Sequence, residues 1–268
     1  MMLDGIMDDY LRRIGATRPE RADLEGLRHL MERHLLSVPF ENLGYHLGED
    51  IFMDERVLQK IVRDHRGGGC FEVNPALSFL LTSLGYEVDI LPGWVHRPGG
   101  VLGPFLGHLA LRVKADGEEW LVDVGFGRNS RFPLNLASRE VQHDPHGDYQ
   151  LHDVSDGVVD VHLAGKPLYR VADRPVTVAD FAPALWWYRT SPDSSFLQGL
   201  FCSMRTPDGL VTLKGNRQVS MVAGEERSKF ALDGGPDALE AYKKYFGITL
   251  DRLPDEPAGG VTAGVRTD

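Results

Sequence analysis

The stretch HRGGGCFEVNPALSFLL, residues 65–81, places one of the chain's two cysteines after three glycines and ahead of an apolar helical run. A thiol reacts as its thiolate. Thiolates are favoured where a helix begins, because free backbone N–H groups and the helix dipole stabilise negative charge. Cys70 sits at such a start, with Arg66 adding positive charge nearby and the glycines allowing a sharp turn and space around the sulfur. Nucleophilic chemistry is one reading of this pattern. A small buried hydrophobe is the other, and the local residues alone leave both open. Cys202 lies in a strand-like run, LFCSM, with none of these features, and reads as structural.

A cysteine nucleophile needs a base, and the base needs an orienting group. Among ten histidines, His108 stands out by its position. It opens HLALRV, which the turn KADGEE joins to EWLVDV. With Asp116-Gly117 as a two-residue hairpin turn, Ala110 pairs with Asp123, and His108 and Asp123 become diagonal neighbours on one sheet face. Asp123 is an acid in an otherwise apolar run, LVDVGFG, and a buried carboxylate wants a partner. An exposed Asp on an edge strand is the alternative, and a one-residue change of register would separate the two side chains. His65 is expected at a helix end, where it favours the dipole. His96, His143 and His146 are expected in solvated loops, His29 and His34 on the first long helix, and His152 and His162 among the strands. Nothing marks any of these as a base.

The elements that must hold these residues follow from periodicity. Asp23 can cap a helix with Leu24, Leu27, Leu30, Met31 and Leu35 at helical spacing, which Pro39 then breaks. Asp54 can cap a second helix with Val57, Leu58, Ile61 and Val62 on one stripe, ended by Gly67, Gly68 and Gly69. A third runs from about Cys70 to Leu84, with Pro75 tolerated in its first turn and Gly85 as the stop. The middle third changes period. YEVDILPGWV, HLALRV, EWLVDV, GVVDVHLA and PLYRV are short, partly alternating runs that suggest an antiparallel sheet or small barrel. The last third mixes WWYRTSP, two strands (LFCSMR and GLVTLKG) and a helix, ALEAYKKYFG, before a tail, PAGGVTAGVRTD, expected to be disordered.

With 268 residues, 42 % hydrophobic and 25 % charged, the chain can bury a sizeable core in one large domain or two to three smaller ones. A net charge of −10 argues against sequence-independent nucleic-acid binding but not against a local site for an anionic small ligand. Two cysteines are too few for a disulfide scaffold. The N-terminal MMLDGIMDDYLRRIG does not read as a signal peptide, and no stretch approaches a membrane span, so a soluble, cytoplasmic protein is expected. CxxC and HxxxH zinc spacings are absent, as are GxxxxGK and GxSxG, and RGGG lacks the spacing of a dinucleotide fingerprint. No metal and no permanently bound cofactor are expected.

With Cys70, His108 and Asp123 in that order, the chain resembles the arylamine N-acetyltransferase family. The likeness runs through VPFENL (38–43), RGGGCFEVN (66–74), HLALRV, LVDVGFG (121–127) and SSFLQGL (194–200), and so covers most of the chain. The cysteine motif combined with VDVGFG is the specific part. The resemblance implies an α+β fold: an N-terminal helical bundle over 1–87 carrying the cysteine, a central antiparallel β-barrel over 88–185 carrying the histidine and aspartate, and a C-terminal α/β lid over 186–268. It implies papain-like Cys-His-Asp geometry, with Cys70 as nucleophile, His108 as base and Asp123 as orienter. The reaction it implies is ping-pong transfer of acetyl from acetyl-CoA, a cosubstrate, to a small-molecule aryl amine. Phe40, Val95, Phe126 and Phe196 should line the acceptor pocket, and Gly125 and Gly127 should let the CoA side approach the backbone.

The chain departs from the family pattern twice. Gly69 stands where relatives commonly carry a large aromatic residue, which should open space beside the sulfur. Arg128 stands where VGFGG is common, adding bulk and charge where the donor enters. A branch of the family forms macrolactams in ansamycin biosynthesis. Such an amide synthase takes a polyketide chain from an acyl carrier protein and releases it onto the chain's own aryl amine, and a wider pocket would suit it. Two other classes are a hydrolase using the same three residues and a non-catalytic binding protein, the latter opposed by the presence of all three residues.

Overall fold

The computed structural model describes residues 2–257; residues 258–268, most of the tail expected to be disordered, lie outside the described residues. Helix α1 (Met2–Ile14) packs against α2 (Leu24–Leu35), where the Tyr10 hydroxyl meets buried His34 Nδ1 at 3.1 Å. Asp23 caps α2 as its sequence position suggests, Oδ1 accepting from Gly26 N at 2.8 Å. A two-residue strand β1 (Phe40–Glu41) and a short helix α3 (Leu43–Leu47) follow Pro39. The helix expected after Asp54 forms as a short segment, α-helical at Val57 and Leu58 and continuing as a π turn, Gln59–Arg63, which ends before the glycines, with His65 at φ 54°. Val57, Leu58, Ile61 and Val62 are all buried, so the apolar stripe is correct. Helix α4 (Cys70–Ser83) begins at the cysteine and closes through Leu84 and Gly85, the latter at φ 90°.

The middle of the chain forms an eight-stranded antiparallel sheet: β2 (Glu87–Val95), β3 (His108–Ala115), β4 (Glu118–Val122), β5 (Leu134–Asn135), β6 (Gln142–Asp144), β7 (Gly147–Ser155), β8 (Val158–Leu163) and β9 (Lys166–Ala172), in the order β5-β4-β3-β2-β9-β8-β7-β6. The two edges meet through a side chain. Asn135 N donates to Gln142 Oε1 at 2.7 Å and Gln142 Nε2 returns a bond to Asn135 O at 3.1 Å, so a glutamine amide stands in for a missing strand ladder and nearly closes the barrel. Strands β5, β6 and β7 escape the sequence pattern because β5 is two residues long, β6 is polar throughout, and β7 buries only Tyr149 and Leu151 among mostly polar residues. Along β3, Leu109, Leu111 and Val113 join the helical core while Ala110 joins Leu91, Leu121, Tyr149 and Tyr169 inside the barrel. His108 shares the face of Ala110.

In the last third, α5 (Ala182–Thr190) and the four-residue α6 (Ser195–Gln198) precede β10 (Phe201–Thr206), β11 (Gly209–Lys214), β12 (Gln218–Ala223) and β13 (Glu226–Ala231). Four strands stand where two were expected. The hairpin β12–β13 was missed because β13 is exposed along its whole length and carries no apolar alternation. The sheet order is β1-β10-β11-β12-β13, so the edge strand comes from the N-terminal third. Helix α7 (Gly235–Phe246) covers this sheet, burying Ala241, Tyr242 and Phe246 against Cys202, Leu213 and Val219. The fold is α+β, with the helices, the barrel-like sheet and the second sheet meeting around the N-terminus of α4.

Candidate active site

Cys70 is the first residue of α4 and is 3 % exposed. The glycines before it have a reason other than a turn. Gly67 has no room for a side chain, since a Cβ there would lie 1.8 Å from the Pro39 carbonyl oxygen. Gly68 bridges β1 by accepting from Glu41 N at 3.2 Å. Glu72 closes the helix start by accepting from Gly69 N at 3.2 Å, the one half of a capping box that a glycine cap allows, readable from its place three residues on. Behind it Lys60 Nζ reaches Glu72 Oε1 at 2.6 Å, and Arg66 pairs with Glu41 and Glu49, each at 3.0 Å. Arg66 is therefore neutralised by two carboxylates and does not lend its charge to the sulfur, contrary to expectation. Burial, offset in part by Lys60, raises the pKa of Glu72.

The hairpin forms in the expected register. Ala115 pairs with Glu118 and Leu111 with Val122, with Asp116 and Gly117 at φ 52° and 80° in the turn. His108 and Asp123 consequently share a face, and His108 Nε2 lies 2.9 Å from Asp123 Oδ2, both side chains buried. The Cys70 side chain lies close enough to His108 to favour its charged form. With Nε2 given to the carboxylate, Nδ1 is the nitrogen left for the sulfur, the reverse of the serine-protease arrangement. Burial disfavours the imidazolium, but the charge and hydrogen bond of Asp123, aided by Cys70, outweigh it and push the His108 pKa up to about 10. Burial likewise opposes ionisation of Asp123. His108 and the bonds from Asn74 and Gly125 overcome it and hold the carboxyl below its ordinary range.

Asn74, which sequence reasoning passed over, ties this arrangement together. Its Nδ2 donates to Leu109 O at 2.6 Å and to Asp123 Oδ1 at 2.9 Å, and its Oδ1 accepts from Val124 N at 2.9 Å. The available signal was spacing: Asn74 is four residues after Cys70 and so on the same helix face. Gly125 N adds a second bond to Asp123 Oδ1 at 2.8 Å. Gly125 also backs the cysteine, because a Cβ there would sit 2.5 Å from Cys70 Cα, so its lack of a side chain serves helix–strand contact. Gly127, at φ 81°, adjoins Phe40, and its N–H is held by Asn129 Oδ1 at 2.8 Å.

Aromatic rings gather around His108 and Gly69. Phe126 lies edge-on to His108 at 5.3 Å, and Tyr169 stacks on both at 4.6 and 4.8 Å. Val95, half-buried, pairs with Tyr169 across the sheet. Phe40 packs on Phe201 at 5.2 Å, and Phe201 on Phe196 at 6.1 Å. The space expected at Gly69 is not open: a Cβ there would come 3.3 Å from Phe196 Cζ. The side chain of Arg128 is half-buried, and its carbonyl accepts from the Tyr149 hydroxyl at 3.0 Å.

Among the histidines outside the His108–Asp123 pair, three differ from expectation. His96 is not solvated; its Nε2 meets Asp160 Oδ1 at 2.9 Å. His146 is packed against Asn129 O at 3.0 Å, and burial, then Arg205, lowers its pKa to about 4. His65 follows a π turn, and burial and Arg13 lower its pKa, so it favours the neutral form and not a helix dipole. Cys202 is fully buried beneath α7, and burial pushes its thiol up. No group of three or more His, Cys, Asp or Glu among the described residues is arranged to hold a metal ion, and none of their helices is long and apolar enough to cross a membrane.

Residues 23–254 match the family model described as N-acetyltransferase. Arylamine N-acetyltransferase 2 of Homo sapiens is 32 % identical, the match covering 95 % of this chain and 98 % of that one. The arylamine N-acetyltransferase of Mycolicibacterium smegmatis is 34 % identical over 91 % and 92 % of the two chains. Among solved structures, the Mycobacterium marinum arylamine N-acetyltransferase in complex with CoA superposes with a TM-score of 0.80 at 28 % identity, covering 90 % of this chain and 92 % of that chain.

Proposed function

The chain belongs to the arylamine N-acetyltransferase family, and from that premise we propose that it moves an acetyl group from acetyl-CoA to the nitrogen of an aryl amine through a thioester on Cys70. The observation that carries this reading is the buried His108–Asp123 pair, 2.9 Å apart, with the cysteine at a helix start close enough to favour the charged form of His108. In the first half-reaction the Cys70 thiolate attacks the acetyl carbonyl, the C–S bond to CoA breaks, and the departing sulfur takes a proton from His108. In the second the amine attacks the enzyme thioester, His108 takes the proton from nitrogen, and the Cys70 thiolate leaves. Thioester exchange breaks and makes the same kind of bond, so the covalent intermediate lies close in energy to the donor. Each tetrahedral oxyanion needs donors. The Cys70 N–H is suited, because the first N–H groups of a helix have no acceptor within it. An aryl amine is largely neutral at pH 7 and suits the ring-lined surroundings formed by Phe126, Phe196 and Phe40.

The division of labour follows the charges. Asp123 keeps the proton of His108 on Nε2, Nδ1 exchanges protons with sulfur and substrate, and Asn74 holds Asp123. Phe40, Val95, Phe126 and Phe196 are assigned to the acceptor side and Gly127 to the donor side. Gly125 is assigned to the fit of the strand against the cysteine. The amide synthase alternative drew on open space at Gly69, which the Phe196 ring occupies, so acetyl transfer is the reading retained. The test is incubation with acetyl-CoA, then mass spectrometry of the intact protein and its peptides. Acetyl on Cys70, discharged by an added arylamine and absent in Cys70→Ala, is expected. No acetyl on Cys70 would refute acetyl transfer, and label from a long acyl thioester alone would favour the amide synthase.

A further inference from the structure

The ring that lies against Gly69 is held from behind by two residues that touch neither the sulfur nor its partners. Phe196 belongs to α6, four residues long, too short to hold its own shape in water. Its backbone carbonyls turn toward α3. Asn42 Nδ2 donates to Phe196 O at 2.9 Å and to Gly199 O at 2.6 Å, and Asn42 Oδ1 accepts from Phe201 N at 2.9 Å. His46, one helical turn after Asn42, meets the same Phe196 O at 2.9 Å through Nε2. A carbonyl oxygen can only accept, so His46 carries a proton on Nε2 and donates. Asn42 is 1 % and His46 8 % exposed, and these bonds satisfy backbone groups that burial would otherwise leave unpaired. The Phe196 ring is pinned in turn by Tyr45 at 5.0 Å and Tyr188 at 5.3 Å.

We propose that Asn42 and His46 form a clamp on the Phe196 carbonyl which, by fixing the ring against Gly69, sets the size of the acyl group that Cys70 accepts. They are positioning residues, acting through Phe196. The proposal rests on the acyl-transfer reading for its biological meaning, although the position of the ring can be read without it. A released carbonyl frees α6 to shift, the ring swings from Gly69, and the wall nearest the cysteine is lost while His108, Asp123 and Asn74 keep their bonds.

The test compares acylation of Cys70 by p-nitrophenyl acetate and p-nitrophenyl octanoate in wild type, His46→Ala, His46→Gln and Phe196→Ala. The octanoate-to-acetate ratio should rise about tenfold in His46→Ala, the scale set by one lost buried hydrogen bond, and at least as far in Phe196→Ala. In His46→Gln, whose amide N–H reaches the same carbonyl, it should return toward wild type. The pH profile of Cys70 alkylation by iodoacetamide should coincide in all four proteins. If His46→Ala does not fold, His46→Asn, which keeps an N–H that falls short of the carbonyl, takes its place. A ratio that rises in Phe196→Ala and not in His46→Ala overturns the clamp, and one that rises in neither overturns the ring as a wall. An altered alkylation profile in His46→Ala would tie His46 to the sulfur and overturn the proposal as well. Should wild-type Cys70 take no acyl group, acyl transfer fails separately. The clamp is then read from alkylation by iodoacetamide against N-phenyl iodoacetamide, where the same change of ratio is expected and its absence is decisive.

Discussion

Replacing Asp123 by Asn removes one charge and almost no volume, and the structure fixes how the new amide must sit. Two donors, Asn74 Nδ2 and Gly125 N, point at Asp123 Oδ1 from 2.9 and 2.8 Å. The amide oxygen has to face them, so the amide NH2 faces His108 Nε2. That nitrogen must then accept, its proton moves to Nδ1, and the nitrogen facing Cys70 can no longer take a proton from the thiol. The charge effect runs the same way. Asp123 and Cys70 together raise the His108 pKa from 6.5 to about 10 against the opposing effect of burial, which corresponds to on the order of 5 kcal/mol in favour of the imidazolium. Without the carboxylate, burial acts unopposed by Asp123 and the imidazole is neutral at pH 7. Loss of acetyl transfer by roughly 10³- to 10⁴-fold is expected, as for the equivalent change in a serine protease. The assay is the rate of Cys70 alkylation by iodoacetamide from pH 5 to 10, alongside single-turnover acetylation. Wild type should react faster than the variant throughout the neutral range, because the imidazolium that favours a thiolate partner persists until pH nears the raised His108 value. Asp123→Asn should react slowly and climb steeply with pH. A variant acetylating within tenfold of wild type, or one alkylated as fast as wild type at neutral pH, would refute the role given to Asp123.

Asn74→Ala strands the Val124 N–H, the Leu109 carbonyl and one bond to Asp123; a loss of about 3 kcal/mol in unfolding free energy is expected by denaturant titration, and a loss under 1 kcal/mol would contradict the tie between α4 and the hairpin. In Gly125→Ala the added methyl would lie 2.5 Å from Cys70 Cα, so acetylation of Cys70 should fall sharply even where circular dichroism shows a folded protein, and normal turnover would show that the strand can retreat. Lys60→Met leaves Glu72 and Glu41 buried beside each other; destabilisation of about 3 to 5 kcal/mol is expected near pH 8. It should shrink as pH falls and Glu72, whose pKa is raised above 4.5 by burial, takes up a proton, and a penalty independent of pH would speak against a charged pair. Alkylation of the native protein should label Cys70 alone, since Cys202 is 0 % exposed and its thiol is pushed up by burial; a native-state label on Cys202 would count against this.

Local rules were enough for much of the chain. The cap at Asp23, the start of α4 at Cys70, and the Asp-Gly turn with its register are set by interactions within a few residues, and all formed as the sequence dictates. The register is what aligns His108 with Asp123, so that pair was legible before any tertiary contact was known. What failed was equally local in origin. Val57, Leu58, Ile61 and Val62 carry the right stripe on a segment that widens from α to π geometry, strands β6 and β13 hold few apolar residues that could alternate, and β7 buries only Tyr149 and Leu151. The role of Arg66 was misjudged because nothing near it in sequence reveals that Glu41 and Glu49 fold onto its guanidinium.

The sequence by itself placed Cys70 at a helix start and His108 and Asp123 on one sheet face, because spacing along helices and strands has fixed periods of 3.6 and 2. Only the tertiary structure decided what presses on them from outside their own elements. Asn74 meets Asp123 across 49 residues, Gly125 meets Cys70, and the Phe196 ring fills the side of Gly69 that the sequence left empty. Asn42 holds that ring's carbonyl from 154 residues away. Such contacts depend on how three separately folded surfaces dock around one helix end, a geometry that no local period encodes.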